Sequence, residues 1–238
     1  MLLFKATLPQ RIALMAFLIP VVTIAVSYAL TVMAGHEPLC IPYIEGCATI
    51  TSTGIYYPAA YILRAGIAMS AVVFILWWYC VRAWLESVKQ APLVGWFHAV
   101  VWIAVIASVL IIASMVILGE NLIPSRDHRT LWRFHAVTAG LFFLANSICQ
   151  IMMTVRMRQL RDQLGIKFSH IIAKEVLAAI QLVMLLVLIV MTIMDWEFDG
   201  MIAFFEWWLA TLSSLFYLSA YWDWHTFRLT RLEQEFPA

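Results

Sequence analysis

Long apolar runs alternate with short polar connections along this chain, and their lengths predict helices that cross a membrane. A helix needs about 20 mainly apolar residues to traverse roughly 30 Å of hydrocarbon. Six stretches meet that requirement, near residues 11–34, 57–82, 92–118, 131–155, 171–194 and 203–225. The expected fold is all-α: a polytopic membrane protein, with a six-transmembrane-helix bundle occupying 1–238 as one domain. Lys5 and Arg11 precede the first run as they would in a signal peptide. That run is too long for a secretory h-region, and no small-residue cleavage site follows it cleanly. It reads as a retained first helix kinked at Pro20.

Composition narrows the class further. Hydrophobic residues make up 64% of the chain and charged residues 12%, where a soluble domain would carry about a quarter. A net charge of +1 offers no basic face for nucleic acid. Many tryptophans and tyrosines fall near predicted helix ends, where amphipathic rings anchor a span at the interface. The sequence has no nucleotide-binding glycine loop, no string of embedded acids and no matched pair of broken helices, which argues against primary transport.

Orientation follows from the basic residues in the connections. With the N-terminus inside, that side collects Lys5, Arg11, Arg82, Lys89, Arg156, Arg158, Arg161, Lys167, Lys174, Arg228 and Arg231, eleven of the fifteen. The other side holds Arg64, Arg126, Arg129 and Arg133. Both termini are therefore expected in the cytoplasm, in a bacterial inner membrane or a eukaryotic endomembrane or plasma membrane.

The outer connection, 35–56, and the helix ends beside it hold the groups with chemistry. Ionisable residues inside a span are costly and by default face the bundle interior. Arg64, Arg133, His135 and Glu206 lie one to two turns below the outer ends of their helices, and Glu45 and His128 lie in or near the outer loops. Together they form an expected outward-facing polar layer for a ligand or lipid headgroup, with an Arg64–Glu206 ion pair relieving both groups of desolvation. His128 and His135 are seven apart, too far for ligands on adjacent helical turns, so no metal site and no cofactor is assigned. Cys40 and Cys47 share the loop and are expected to form a disulfide on an oxidising side. The hydroxyl-rich stretch Thr49–Thr53, broken by Gly54, could dip into the membrane as a re-entrant turn if protein or water satisfies its backbone. Thr51, Ser52 and Thr53 have no adjacent histidine or lysine to activate them as nucleophiles. Asn146, Gln150, Gln181, Thr211, Ser213 and Ser214 read as interhelical hydrogen-bonding positions. Glu175 and Asp223 are expected to pair with basic neighbours such as Arg82 or Arg228.

The stretch YIEGCATITSTGIYYPAAYILRAGI resembles the signature of the Frag/DRAM/Sfk family, which includes the damage-regulated autophagy modulators and the Golgi factor that remodels GPI anchors. The likeness rests on Thr49 to Thr53, Gly54, Pro58, Tyr61-Ile62 and Arg64. It extends to Glu206-Trp207, to Tyr221 with Asp223, and to His128, His135 and Gly140. Autophagy-modulator members usually place an acid directly after the proline, whereas Ala59 and Ala60 follow Pro58 here. No role for that acid transfers. The resemblance implies six membrane helices and roles in lipid or GPI-anchor handling, lysosomal signalling or membrane organisation.

Two functions follow as expectations. The first is a lipid-interacting or membrane-organising protein, not an enzyme, whose partners are membrane lipids and possibly a protein or a second copy. The alternative is an intramembrane lipid- or GPI-anchor-modifying enzyme using Glu45, His135 and Glu206 as acid/base groups, which would need displaced pKa values.

Overall fold

The computed structural model describes residues 6–89, 93, 95–116, 129–165, 167–194, 196, 200–225 and 227. Among them it is all-helical: α1 (Leu8–Met33), α2 (Pro42–Glu45), α3 (Ala59–Lys89), α4 (Gly95–Val116), α5 (Arg129–Leu164), α6 (Ile171–Ile193) and α7 (Met201–Asp223). A single 3-10 turn, Ser52–Gly54, lies between α2 and α3. All but α2 are long and apolar enough to cross a membrane.

Local sequence sets the helix ends. Thr7 and Gln10 form a reciprocal capping box at the start of α1: the Gln10 amide donates to Thr7 Oγ1 (3.3 Å) and the Thr7 amide to Gln10 Oε1 (3.0 Å). The same two side chains donate to the carbonyls of Trp224 and Tyr221, tying the start of α1 to the end of α7. At about 1.5 Å per residue, the 31 residues of α3 and 36 of α5 exceed the hydrocarbon thickness, so both helices project from it. The projecting end of α5 carries Arg156, Arg158 and Arg161.

Helices α1, α3, α4, α5, α6 and α7 follow one another around a ring, which α7 closes by packing beside α1. The core is aromatic: Trp77, Trp78, Phe216, Tyr217 and Trp224 are fully buried. Two glycine contacts allow close approach. A Cβ on Gly66 of α3 would collide with the Thr23 side chain of α1. Gly46, at φ +61°, ends α2 against the backbone of Gly200, which precedes α7, and neither position has room for a side chain.

At mid-span, α5, α6 and α7 share neutral hydrogen bonds. Tyr217 donates to Asn146 Oδ1 (2.7 Å), Ser213 to Gln181 Oε1 (2.6 Å) and Gln181 Nε2 to Gln150 Oε1 (2.8 Å). The end of the bundle where α1 starts and α7 ends contains a buried ion pair, Lys174–Asp223 at 2.7 Å. Asp223 also accepts from the Ser169 amide (2.6 Å), and Lys174 donates to the Ser169 carbonyl (2.7 Å). These partners correct the sequence expectation: Asp223 meets Lys174, Arg82 pairs with Glu86, and Glu175 pairs with Arg158. Arg228 lies outside the described residues.

Candidate functional site

Residues 34–58 cap the opposite end of the bundle, and part of this segment inserts between the helices. Pro42 opens α2, and the Glu45 carboxylate accepts from the Ile41 amide (2.7 Å) at its start. Cys40 and Cys47 are joined as a disulfide, their Cα atoms 6.6 Å apart. Tyr28 of α1 holds the near side, accepting from the Cys40 amide and donating towards the Pro38 carbonyl, both at 3.0 Å. Tyr43 and Thr211 share a 2.7 Å hydrogen bond on the far side, while Trp208 donates to the Tyr43 carbonyl (3.1 Å).

Beyond the disulfide the chain turns inward at Ala48–Gly54, where Ala48, Ile50, Thr51, Thr53 and Gly54 are buried. A buried irregular segment must find partners for its backbone polar groups. Side chains supply them. Trp207 donates to the Ala48 carbonyl (2.8 Å), and Ser27 and Thr31 of α1 both donate to the Thr53 carbonyl at 2.8 Å. The Ile50 amide donates to Glu206 Oε2 (2.8 Å).

That last contact places Glu206 in a chain of polar groups. Thr51 donates to Glu206 Oε1 (2.8 Å), and its oxygen also lies 3.0 Å from His135 Nε2. His135 Nδ1 lies 2.8 Å from Ser114 Oγ and 3.1 Å from the Ser114 carbonyl. The sequence Glu206–Thr51–His135–Ser114 thus links α7, the inserted turn, α5 and α4. Thr51 donates its single proton to Glu206 Oε1, and the two ring nitrogens of His135 bridge the Thr51 hydroxyl to Ser114.

Below this chain lies a narrow apolar cavity of about 70 Å³, lined by Ile24, Ile67, Phe74, Ile111, Phe142 and Ala210 among others. Thr51, His135 and Glu206 form its polar wall. His135 is only 3% exposed, whereas Glu206 is half-buried. The arrangement can relay a proton along four side chains or present a carboxylate, a hydroxyl and an imidazole to a ligand in the cavity.

The structure separates the other expected site residues from this chain. Glu45 is exposed and caps α2. Arg133 is exposed. Arg64 is half-buried, with its Nε buried and without a hydrogen-bond partner. The expected Arg64–Glu206 ion pair does not form; among the described residues Glu206 is bonded to neutral donors. Arg64 stands on α3 and Glu206 on α7, which α1 separates in the ring. His128 lies outside the described residues. Thr51 was not foreseen as the link, because its imidazole partner comes from 84 residues along the chain. The only sequence signal was a buriable hydroxyl in a segment too polar for its position.

The family model for the Frag1/DRAM/Sfk1/Cwh43P N-terminal domain aligns with residues 10–227. The chain belongs to this family. The aligned range takes in every described helix apart from the first residues of α1, and with them Thr51, Ser114, His135 and Glu206. No curated protein and no solved structure matches the chain. Family membership and the six apolar helices identify a multi-pass membrane protein.

Proposed function

We propose that this protein binds a membrane lipid at the end capped by residues 34–58, and organises the membrane around it. The observation that carries this reading is the polar wall of Thr51, His135 and Glu206 on a largely apolar cavity inside the span. Polar groups at this depth are costly unless they serve a purpose, and a lipid combines a hydrocarbon part with polar atoms at its head. Both termini face the cytoplasm in this reading, as the distribution of lysine and arginine favours. The capped end, with its disulfide, then faces an oxidising compartment.

The test is native mass spectrometry of protein purified in mild detergent. Wild-type protein is expected to retain a discrete lipid, and Glu206→Gln to lose it while melting within a few degrees of wild type. Equal lipid retention by both proteins would overturn the assignment. A reporter fused after Ala238 tests orientation, and a reporter active only outside the cytoplasm would reverse it.

The contact between Thr51 and His135 favours a second reading, an intramembrane lipid- or GPI-anchor-modifying enzyme in which His135 and Glu206 handle the proton. Glu45, engaged at α2, has no part in it. Release of a fatty acid from an added ester lipid, abolished by His135→Gln, would support this reading; no release from any ester lipid bound by the protein would end it.

A further inference from the structure

A second cavity lies beside the first. It is a groove of about 340 Å³ beneath α2, with Val21, Ile24 and Tyr28 of α1 on one wall and Trp207, Ala210 and Ser214 of α7 on the other. Ile24, Ile50, Ala210 and Ser214 line both spaces, so the two adjoin across a common partition. The groove is within the range of small-molecule sites, about 300–1,000 Å³, whereas the inner cavity admits only something thin.

The walls of the groove state what it accepts. No charged residue lines it. Its polar side chains are already bonded: Tyr28 to the Cys40 amide, Tyr43 to Thr211, Trp207 to the Ala48 carbonyl and Ser214 to the Ala210 carbonyl. Cys40 is in the disulfide. A headgroup or a peptide backbone would find few hydrogen-bond partners here that are not already engaged, and would lose its own to water. Hydrocarbon loses nothing. Beside the groove, Val22 and Val26 of α1 and Leu215 of α7 are exposed on helices that span the bilayer, so the medium at this depth is itself acyl chain.

We infer that one acyl chain of a membrane lipid enters sideways between α1 and α7, beneath the α2 cap, and reaches the cavity walled by Glu206, Thr51 and His135 through the partition at Ala210. This rests on the lipid-binding reading above and adds the part of the lipid recognised and its route. Ala210 has the smallest side chain of the four residues that border both spaces, so enlarging it is the direct way to close the partition.

The experiment uses full-length protein in vesicles of phosphatidylcholine doped with a phosphatidylcholine carrying a diazirine within one acyl chain. After irradiation, labelled peptides are mapped by mass spectrometry, alongside native mass spectrometry of the same preparation. Labels on α1 near Ile24 and on α7 near Ala210 are expected. Ala210→Trp, which fills the partition, is expected to reduce those labels to the level of the bilayer-facing surface of α6. Ile50→Ala, which widens it, is expected to increase them, and this second variant keeps the test valid if the first fails to fold. Retained lipid with labels only on outer faces such as that of α6 would overturn the route and leave lipid binding standing. Absence of both retained lipid and groove labels would overturn the two together.

Discussion

Glu206 and Asp223 lie near opposite ends of α7 and are held in different ways. Asp223 meets Lys174 at 2.7 Å, and the two side chains are 3% and 0% exposed. Trp224, fully buried nearby, packs against Trp77 and Trp84. Glu206 meets an amide and a hydroxyl, no cation, and borders a cavity. A buried acid with a matching charge fixes helix positions. A half-buried acid held by neutral donors at the edge of a cavity retains lone pairs for something that arrives later. The surroundings of the two acids distinguish them; their chemical identity and depth do not.

The largest expected effect comes from breaking the closed pair. Lys174→Met leaves Asp223 without its counter-charge and should cost about 3–5 kcal/mol, read as thermal unfolding in detergent. The double variant Lys174→Met with Asp223→Leu should recover much of that loss; a strictly additive result would show the pair is not coupled. Thr51→Val, at the other end, leaves His135 and Glu206 each short of a partner and should cost about 1–3 kcal/mol by the same assay. It should also reduce co-purified lipid, which Lys174→Met should not do per folded molecule. Arg64→Ala and Glu206→Ala should combine with a coupling under about 0.5 kcal/mol, as groups without a shared contact do. Strong coupling in that double-mutant cycle would restore the direct ion pair. The smallest effect belongs to Arg158→Ala, which removes a solvent-exposed pair with Glu175. No resolvable change in melting temperature is expected there, at low or high salt.

Hydropathy made the fold legible because a bilayer imposes one length on every crossing segment. The expected spans and the helices coincide apart from their ends: α3 runs to Lys89 and α5 to Leu164, beyond the predicted 82 and 155. Polar residues on those extensions stopped the sequence criterion but not the helices, which continue past the hydrocarbon. The site was legible only in part. His135 and Glu206 were recognisable as ionisable groups within spans, while Thr51 became significant only through residues far away in sequence. Arg64 and Asp223 show why: sequence gives depth along a helix axis closely, but which helices stand side by side depends on packing between them. Packing put α1 between the helices of Arg64 and Glu206, and α6 beside α7, so that Asp223 meets Lys174 rather than Arg82.

The two hydroxyls of α1 that meet the Thr53 carbonyl have a mechanical consequence. Ser27 and Thr31 are one turn apart and both grip a single oxygen, two residues beyond Thr51. Sliding or rolling α1 out of register would strain both grips at once, so the helix and the turn are geared together. A helix in contact with the lipid environment is thereby coupled to the buried Thr51 hydroxyl, and a shove on one is felt by the other.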